Sequence, residues 1–170
     1  MFLAIVSCPD IAYAVNVVSR YLSEYTESHW QAVKRILRYL IGTADFGIMY
    51  KSCGSKLELR GYSDADYAGD VVMRRSTTGY VFMLAGGPIT WSSQRQKLVT
   101  LSTTETEYFA AATATKEAVW LRKLLDDIGF QAAGASALFV DNQSAIKLIK
   151  NPEFHKRTKH IDVRYHFIRF

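Results

Sequence analysis

Of the sixteen acidic residues in this 170-residue chain, three stand at the ends of segments that a fold can bring together: Asp64, Glu107 and Asp141. Asp64 lies in Tyr62-Ser63-Asp64-Ala65-Asp66-Tyr67, at or near the end of a β-like run. Asp66, two residues on, shares its face if the strand continues and turns away if it does not. Asp64 is the better ligand because the turn signal Gly69-Asp70 begins soon after Asp66. Glu105 and Glu107 are about 200° apart around a helix axis and cannot serve one site together. Glu107 heads the stripe Ala111, Ala114, Ala118, Leu121 and Leu125, which must pack on a sheet, and a carboxylate there is costly unless it is paired or binds a metal. Asp141 follows the apolar run Leu138-Phe139-Val140 and precedes a helix. It is either a ligand at a strand's carboxyl end or the helix N-cap, and the residues alone leave both open.

Carboxylates from a strand, a helix head and a second strand end suit two Mg²⁺ or Mn²⁺ ions about 4 Å apart, the arrangement that hydrolyses phosphodiesters. A calcium loop starting at Asp64 fails, because its fifth and twelfth positions are Ala68 and Arg75. Arg95, Gln96 and Lys97, just before the helix of Glu107, are placed to meet phosphates. Asn142 and Gln143 are placed to reach a sugar hydroxyl or a base edge. Tyr80, Phe82 and Trp91 read as strand core.

The elements that position these residues follow from periodicity. Pro9-Asp10 opens a helix with Ile11, Ala14, Val15, Val18 and Leu22 on one face. Ser28 is the expected N-cap of a second helix, Trp30 to Leu40, closed by Gly42. Short strands are expected over Phe46 to Tyr50, Leu57 to Ser63, Gly79 to Leu84 and Ile89 to Ser93. Ser102 and Glu105 form a capping box for a long helix to about Ile128, with Gly129 after it. Ala137 to Val140 is a strand, Ser144 to Lys150 a short helix stopped at Asn151-Pro152, and Lys159 to Phe170 a last helix. The expected fold is α/β, a mixed sheet flanked by helices behind an N-terminal helical hairpin.

Composition agrees with a folded protein that has no membrane span: 49% of residues are hydrophobic and 22% charged, and no run approaches the roughly 18 apolar residues of a span. A net charge of +5 favours a polyanionic partner without identifying one. Cys8 and Cys53 stand alone, so neither a disulfide framework nor a zinc site is expected, and two buried thiols are the plain reading. No signal peptide is read, which makes an intracellular compartment, cytoplasmic or nuclear, the default.

The strings Ser63-Asp-Ala-Asp-Tyr-Ala-Gly-Asp70, Ser76-Thr-Thr-Gly-Tyr80, Trp91-Ser-Ser-Gln-Arg-Gln-Lys97, Ser102-Thr-Thr-Glu-Thr-Glu-Tyr108 and Val140-Asp-Asn-Gln-Ser-Ala145, in this order, resemble the ribonuclease H domain of copia-type LTR-retrotransposon Pol polyproteins. Pro9-Asp10-Ile11, His29-Trp30, Arg38-Tyr39-Leu40 and Lys159-His160-Ile161-Asp162 extend the likeness over nearly the whole chain. The resemblance implies a ribonuclease H-like fold over residues 46–170 and, over residues 1–45, a helical connector from the end of the reverse transcriptase region. It implies cleavage of the RNA strand of an RNA/DNA hybrid, with Asp64, Glu107 and Asp141 as three of four metal-binding carboxylates and the reverse transcriptase portion as partner. The fourth belongs to a strand and helix beyond Phe170, so the domain is expected to be truncated there, with Asp162 structural. Cys8 departs from the family, which usually has Arg at that place. His155 and His160 are the choices for a proton shuttle. Two alternatives stand beside this reading. One is an inactive retroelement remnant that keeps the fold and binds nucleic acid or partners without catalysis; the other is a different nuclease of the same superfamily, such as a DNA-cutting recombinase.

Overall fold

The computed structural model describes residues 1–51, 58–130 and 134–150. The expected helix over Lys159 to Phe170, with Asp162, His155 and His160, lies outside them, as does Cys53. Cys8 is free and half-buried, less enclosed than the sequence implied.

The chain begins with α1 (Phe2–Val6), a 3₁₀ turn (Pro9–Ile11), α2 (Ala12–Ser19) and α3 (Glu27–Gly42). The helix α3 starts earlier than Ser28 predicts. Thr26 precedes its first residue, and the Thr26 N–H donates to His29 Nδ1 at 3.0 Å. An imidazole thus takes the place that Glu or Gln holds in a usual capping box. The His29 ring stacks on Tyr21 with centroids 3.9 Å apart, which joins α3 to the end of α2.

No strand forms over Phe46 to Tyr50. The segment runs beside the turn that follows Leu84, held by the Lys51 N–H to the Ala85 carbonyl at 2.7 Å and the Tyr50 hydroxyl to the Pro88 carbonyl at 2.8 Å. Phe46 and Met49 stay exposed, and Gly47 offers nothing to pack, so the apolar alternation there lacks a surface to bury.

Among the described residues, four strands make the sheet: β1 (Arg60–Asp66), β2 (Thr77–Leu84), β3 (Gly87–Arg95) and β4 (Ala137–Val140), in the order β3-β2-β1-β4. β1 pairs antiparallel with β2, and β2 with β3, whereas β1 pairs parallel with β4. A parallel neighbour needs a crossover connection, and α4 (Thr103–Asp127) lies within it. The result is the α/β mixed sheet flanked by helices that the sequence predicts, consistent with a ribonuclease H-like fold.

The core sits between α4 and one face of the sheet. Leu59, Phe82, Ala114, Leu121 and Leu125 form it, with Tyr80, Leu84, Ile89, Ala118 and Leu138 around them. Gly61 is required here: a Cβ on β1 at that position would lie 2.4 Å from the Phe82 ring. Short α5 (Gln143–Lys150) packs Leu148 and Ile149 against Tyr108 and Phe109 of α4. The N-terminal helices lie against β3 and the start of β2. Trp91 Nε1–H donates to the Ala4 carbonyl at 2.7 Å, and the Arg20 guanidinium donates to Thr77 Oγ1 at 3.0 Å.

Candidate metal centre

Register brings the first two carboxylates together. Ser63 is paired with Val140 across the parallel ladder, so Asp64 and Asp141 are the next residues of adjacent strands. The third arrives from α4, whose first turn is fixed by its cap. Ser102 Oγ accepts from the Glu105 N–H at 3.2 Å, and Glu105 Oε2 accepts from the Leu101 N–H at 2.8 Å. The Glu105 side chain therefore reaches one residue beyond the cap. Glu107, on the other face, enters the site.

Carboxylate oxygens of Asp64, Glu107 and Asp141 all lie within 4.8 Å of one another. Asp64 and Asp141 are exposed, while Glu107 is buried. The Ala65 N–H donates both to Asp64 Oδ1 at 2.8 Å and to Glu107 Oε1 at 3.2 Å, so one peptide group orients two of the three. Among the described residues, Glu107 Oε2 has no hydrogen-bond partner, and it is buried. Burial, followed by the negative charges of Asp64 and Asp141, pushes the Glu107 carboxyl up to about 7. A buried, unpaired carboxylate oxygen beside two exposed carboxylates fits a hard divalent cation, which needs oxygen donors and offsets their repulsion. In the absence of a cation, Glu107 keeps its proton to a higher pH than an ordinary carboxyl.

The cap of α5 is taken by Asn142, whose Oδ1 accepts from the Ala145 N–H at 2.9 Å. That leaves the Asp141 carboxylate for the site. Gln143 is exposed at the start of α5, near Asp141 in sequence. The three residues after β3 are employed differently. Arg95 Nη1 donates to Asp70 Oδ2 at 2.7 Å. Gln96 is buried and its Nε2 donates to Thr78 Oγ1 at 2.9 Å and to the Thr106 carbonyl at 3.2 Å. Lys97 is exposed. Arg95 and Gln96 thus have protein partners that a sequence pattern of basic and polar residues does not foretell.

Two acidic residues have roles that sequence reading missed. β1 continues to Asp66, whose carboxylate accepts from the Tyr13 hydroxyl at 3.1 Å instead of joining the three. The Asp66 carboxylate lies over Gly69, so a Cβ there would push it aside. Asp70, read as a turn signal, is buried. It accepts the N–H groups of Val72 and Met73 at 3.1 and 2.9 Å, pairs with Arg95, and has Arg20 at 3.9 Å. The Met73 N–H, then the Arg95 bond, hold its carboxyl down at about 2. Its signal was the Asx pattern Asp70-Val71-Val72-Met73, with acceptance at the second and third residues on.

A mixed sheet whose central strand ends in one carboxylate, with a second from the parallel neighbour and a third from the crossover helix, defines the class: an α/β domain of ribonuclease H-like architecture with a candidate metal site. No family model matches the chain, and no solved structure matches it. The chain is 50% identical over 169 residues to the retrovirus-related Pol polyprotein from transposon TNT 1-94 of Nicotiana tabacum, covering 99% of this chain and 12% of that protein. It is 48% identical over 161 residues to the corresponding polyprotein from transposon RE2 of Arabidopsis thaliana, covering 95% of this chain and 11% of that protein. It is also 52% identical over 121 residues to secreted RxLR effector protein 161 of Plasmopara viticola, covering 71% of this chain and 84% of that protein. Over nearly its whole length the chain is a homologue of a segment of copia-type retrovirus-related Pol polyproteins, those matched coming from plant transposons. It spans about an eighth of the length of the polyproteins it matches.

Proposed function

We propose that this region hydrolyses the RNA strand of RNA/DNA hybrids as the ribonuclease H portion of a retrotransposon Pol polyprotein. The observation that supports it most is the meeting of Asp64, Glu107 and Asp141 around the unpartnered Glu107 Oε2. These three residues would hold Mg²⁺ or Mn²⁺, two ions in the full site. When bound, such ions supply an activated water and stabilise the leaving oxygen of the phosphodiester.

The chain's own groups prepare that chemistry. Ala65 N–H holds Asp64 and Glu107 in register, and the Asn142 cap frees Asp141. Glu107 would give up its proton to serve as a ligand of such an ion. Lys97 and Gln143, both exposed, would meet the hybrid in this reading, with Arg95, Gln96 and Asn142 supporting the loops that carry them. The RNA/DNA hybrid and the reverse transcriptase portion of the same polyprotein are the partners of this reading, and residues 1–45 its connector to that portion. The setting is intracellular. Among the described residues, no helix is long and apolar enough to cross a membrane.

A second reading, a fold retained for binding nucleic acid or protein without turnover, has one observation in its favour. Much of this sequence recurs in a protein named as a secreted effector.

The test is Mg²⁺- or Mn²⁺-dependent cleavage of a labelled RNA/DNA hybrid by this chain, by a version extended with downstream polyprotein sequence, and by Asp64→Asn in each. The active parent is expected to lose at least about 100-fold on Asp64→Asn, the loss of a metal-held reaction centre. An intact hybrid with the extended protein would remove the enzyme reading. A fully active Asp64→Asn protein would remove this site.

A further inference from the structure

The cap bonds of α4 fix its first turn to its own chain, but Glu107 must be held relative to the sheet. A buried hydroxyl cluster next to it makes that tie. Thr106 and Ser76 are completely buried and Thr100 nearly so. Thr106 Oγ1 donates to the Ser102 carbonyl at 3.0 Å and lies 3.3 Å from Ser76 Oγ. Thr100 Oγ1 is hydrogen-bonded to Thr106 Oγ1 and lies 3.0 Å from Ser76 Oγ. Ser76 Oγ also accepts the Ala68 N–H at 3.0 Å, and its carbonyl accepts the Gln96 N–H at 2.8 Å. Gln96 Nε2 closes the group on the Thr106 carbonyl and on Thr78 Oγ1.

Four segments therefore meet at one point: the turn leaving β1, the start of β2, the loop before α4, and α4 itself. Ala68 is four residues past Asp64, and Thr106 directly precedes Glu107. Packing alone does not require hydroxyls here, because valine has nearly the volume of threonine. Burying three of them is costly unless each is bonded, and each is.

We infer that Thr106 is a positioning residue: its hydroxyl, clamped by Ser76 and Thr100, and its carbonyl, held by Gln96, set the distance of the Glu107 carboxylate from Asp64 and Asp141. This rests on the metal reading above. A site of this kind needs its ligands placed to about half an ångström, and loss of an outer partner weakens metal binding about 10- to 100-fold.

The test uses the whole chain with Mn²⁺ as probe, titrated by electron paramagnetic resonance, together with hybrid cleavage and thermal unfolding. Thr106→Val is expected to bind Mn²⁺ about tenfold more weakly and to lower kcat with little change in KM for the hybrid. Thr106→Ser, which keeps the hydroxyl, is expected to recover most of the affinity. Where Thr106→Val does not fold, Thr100→Val removes a hydroxyl from the loop without altering the helix, with the same expected loss. A folded valine variant that binds Mn²⁺ like the parent overturns the inference, as does a serine variant as poor as valine. Those failures leave the metal reading standing as long as parental binding is lost in Asp64→Asn. Parental binding indifferent to Asp64→Asn would overturn both.

Discussion

At the scale of single residues, Glu107 is the group whose state the fold controls most. Its carboxyl titrates near 7 in the folded chain against an ordinary 4.5, because it is buried beside Asp64 and Asp141. The folded state then holds a proton that the unfolded chain releases between about pH 4.5 and 7, so stability falls as pH rises through that window. Without metal, the parent should lose stability steadily between pH 4.5 and 7.5, read by chemical denaturation across that range. Glu107→Gln should flatten that slope and unfold at higher temperature than the parent at pH 8 in a chelator. A parental profile as flat as that of the glutamine variant would contradict the burial argument. The choice of Glu107 over Glu105 was legible from helical spacing, since only one of them lies over the alanine and leucine stripe. The occupation of Arg95 by Asp70 was not legible, because nothing in a run of polar residues says that a carboxylate 25 positions earlier is buried against it.

At the scale of elements, strands and helices that bury a regular face were readable, and those held by isolated bonds were not. The long helix and the strand Ala137–Val140 stand where apolar periodicity and capping residues put them. The segment Phe46 to Tyr50 has strand-like composition but only local bonds to the β2–β3 turn. Its β-branched and aromatic residues reported propensity without a partner strand. The short helix after Asp141 illustrates a competition between neighbours for one cap. Asn142 wins it, and Asn142→Ala should cost about 1 kcal/mol of stability by chemical denaturation. In that variant Asp141 is the nearest side chain able to replace the cap, which would draw it from the site. Mn²⁺ affinity should therefore fall more than the stability loss alone implies, and unchanged affinity would show that Asp141 is fixed by the ladder to Ser63 instead.

At the scale of the whole molecule, Asp70 joins parts of the chain that are distant in sequence. Arg95 at the end of β3 and Arg20 just after α2 both reach it, while its own turn supplies two N–H groups. Its carboxyl titrates near 2, below the ordinary 3.8, so its contribution is present above about pH 4 and is lost as pH falls through 2. Asp70→Asn should remove about 1–2 kcal/mol at pH 7 and about a third of that at pH 2.5, measured by urea unfolding. Equal losses at both pH values would mean that packing, not charge, is what the substitution removes. The overall α/β layering was legible because strands and helices alternate with clear periods, whereas the way the N-terminal helices meet β3 depends on single contacts such as Trp91 to Ala4 that no periodicity encodes.

The parallel pairing of β1 with β4 gives the site a place in the order of folding. Asp64 and Asp141 become neighbours only when nearly half the chain, α4 included, has closed between them. Closing so long a loop is slow and entropically opposed, and the carboxylates' mutual repulsion opposes the last step further. If the proposed metal reading holds, ion capture at this point would act as a latch on the completed topology. On the proposed reading, a chain whose sheet is unfinished would lack the centre, and any hydrolysis would wait on the last strand pairing.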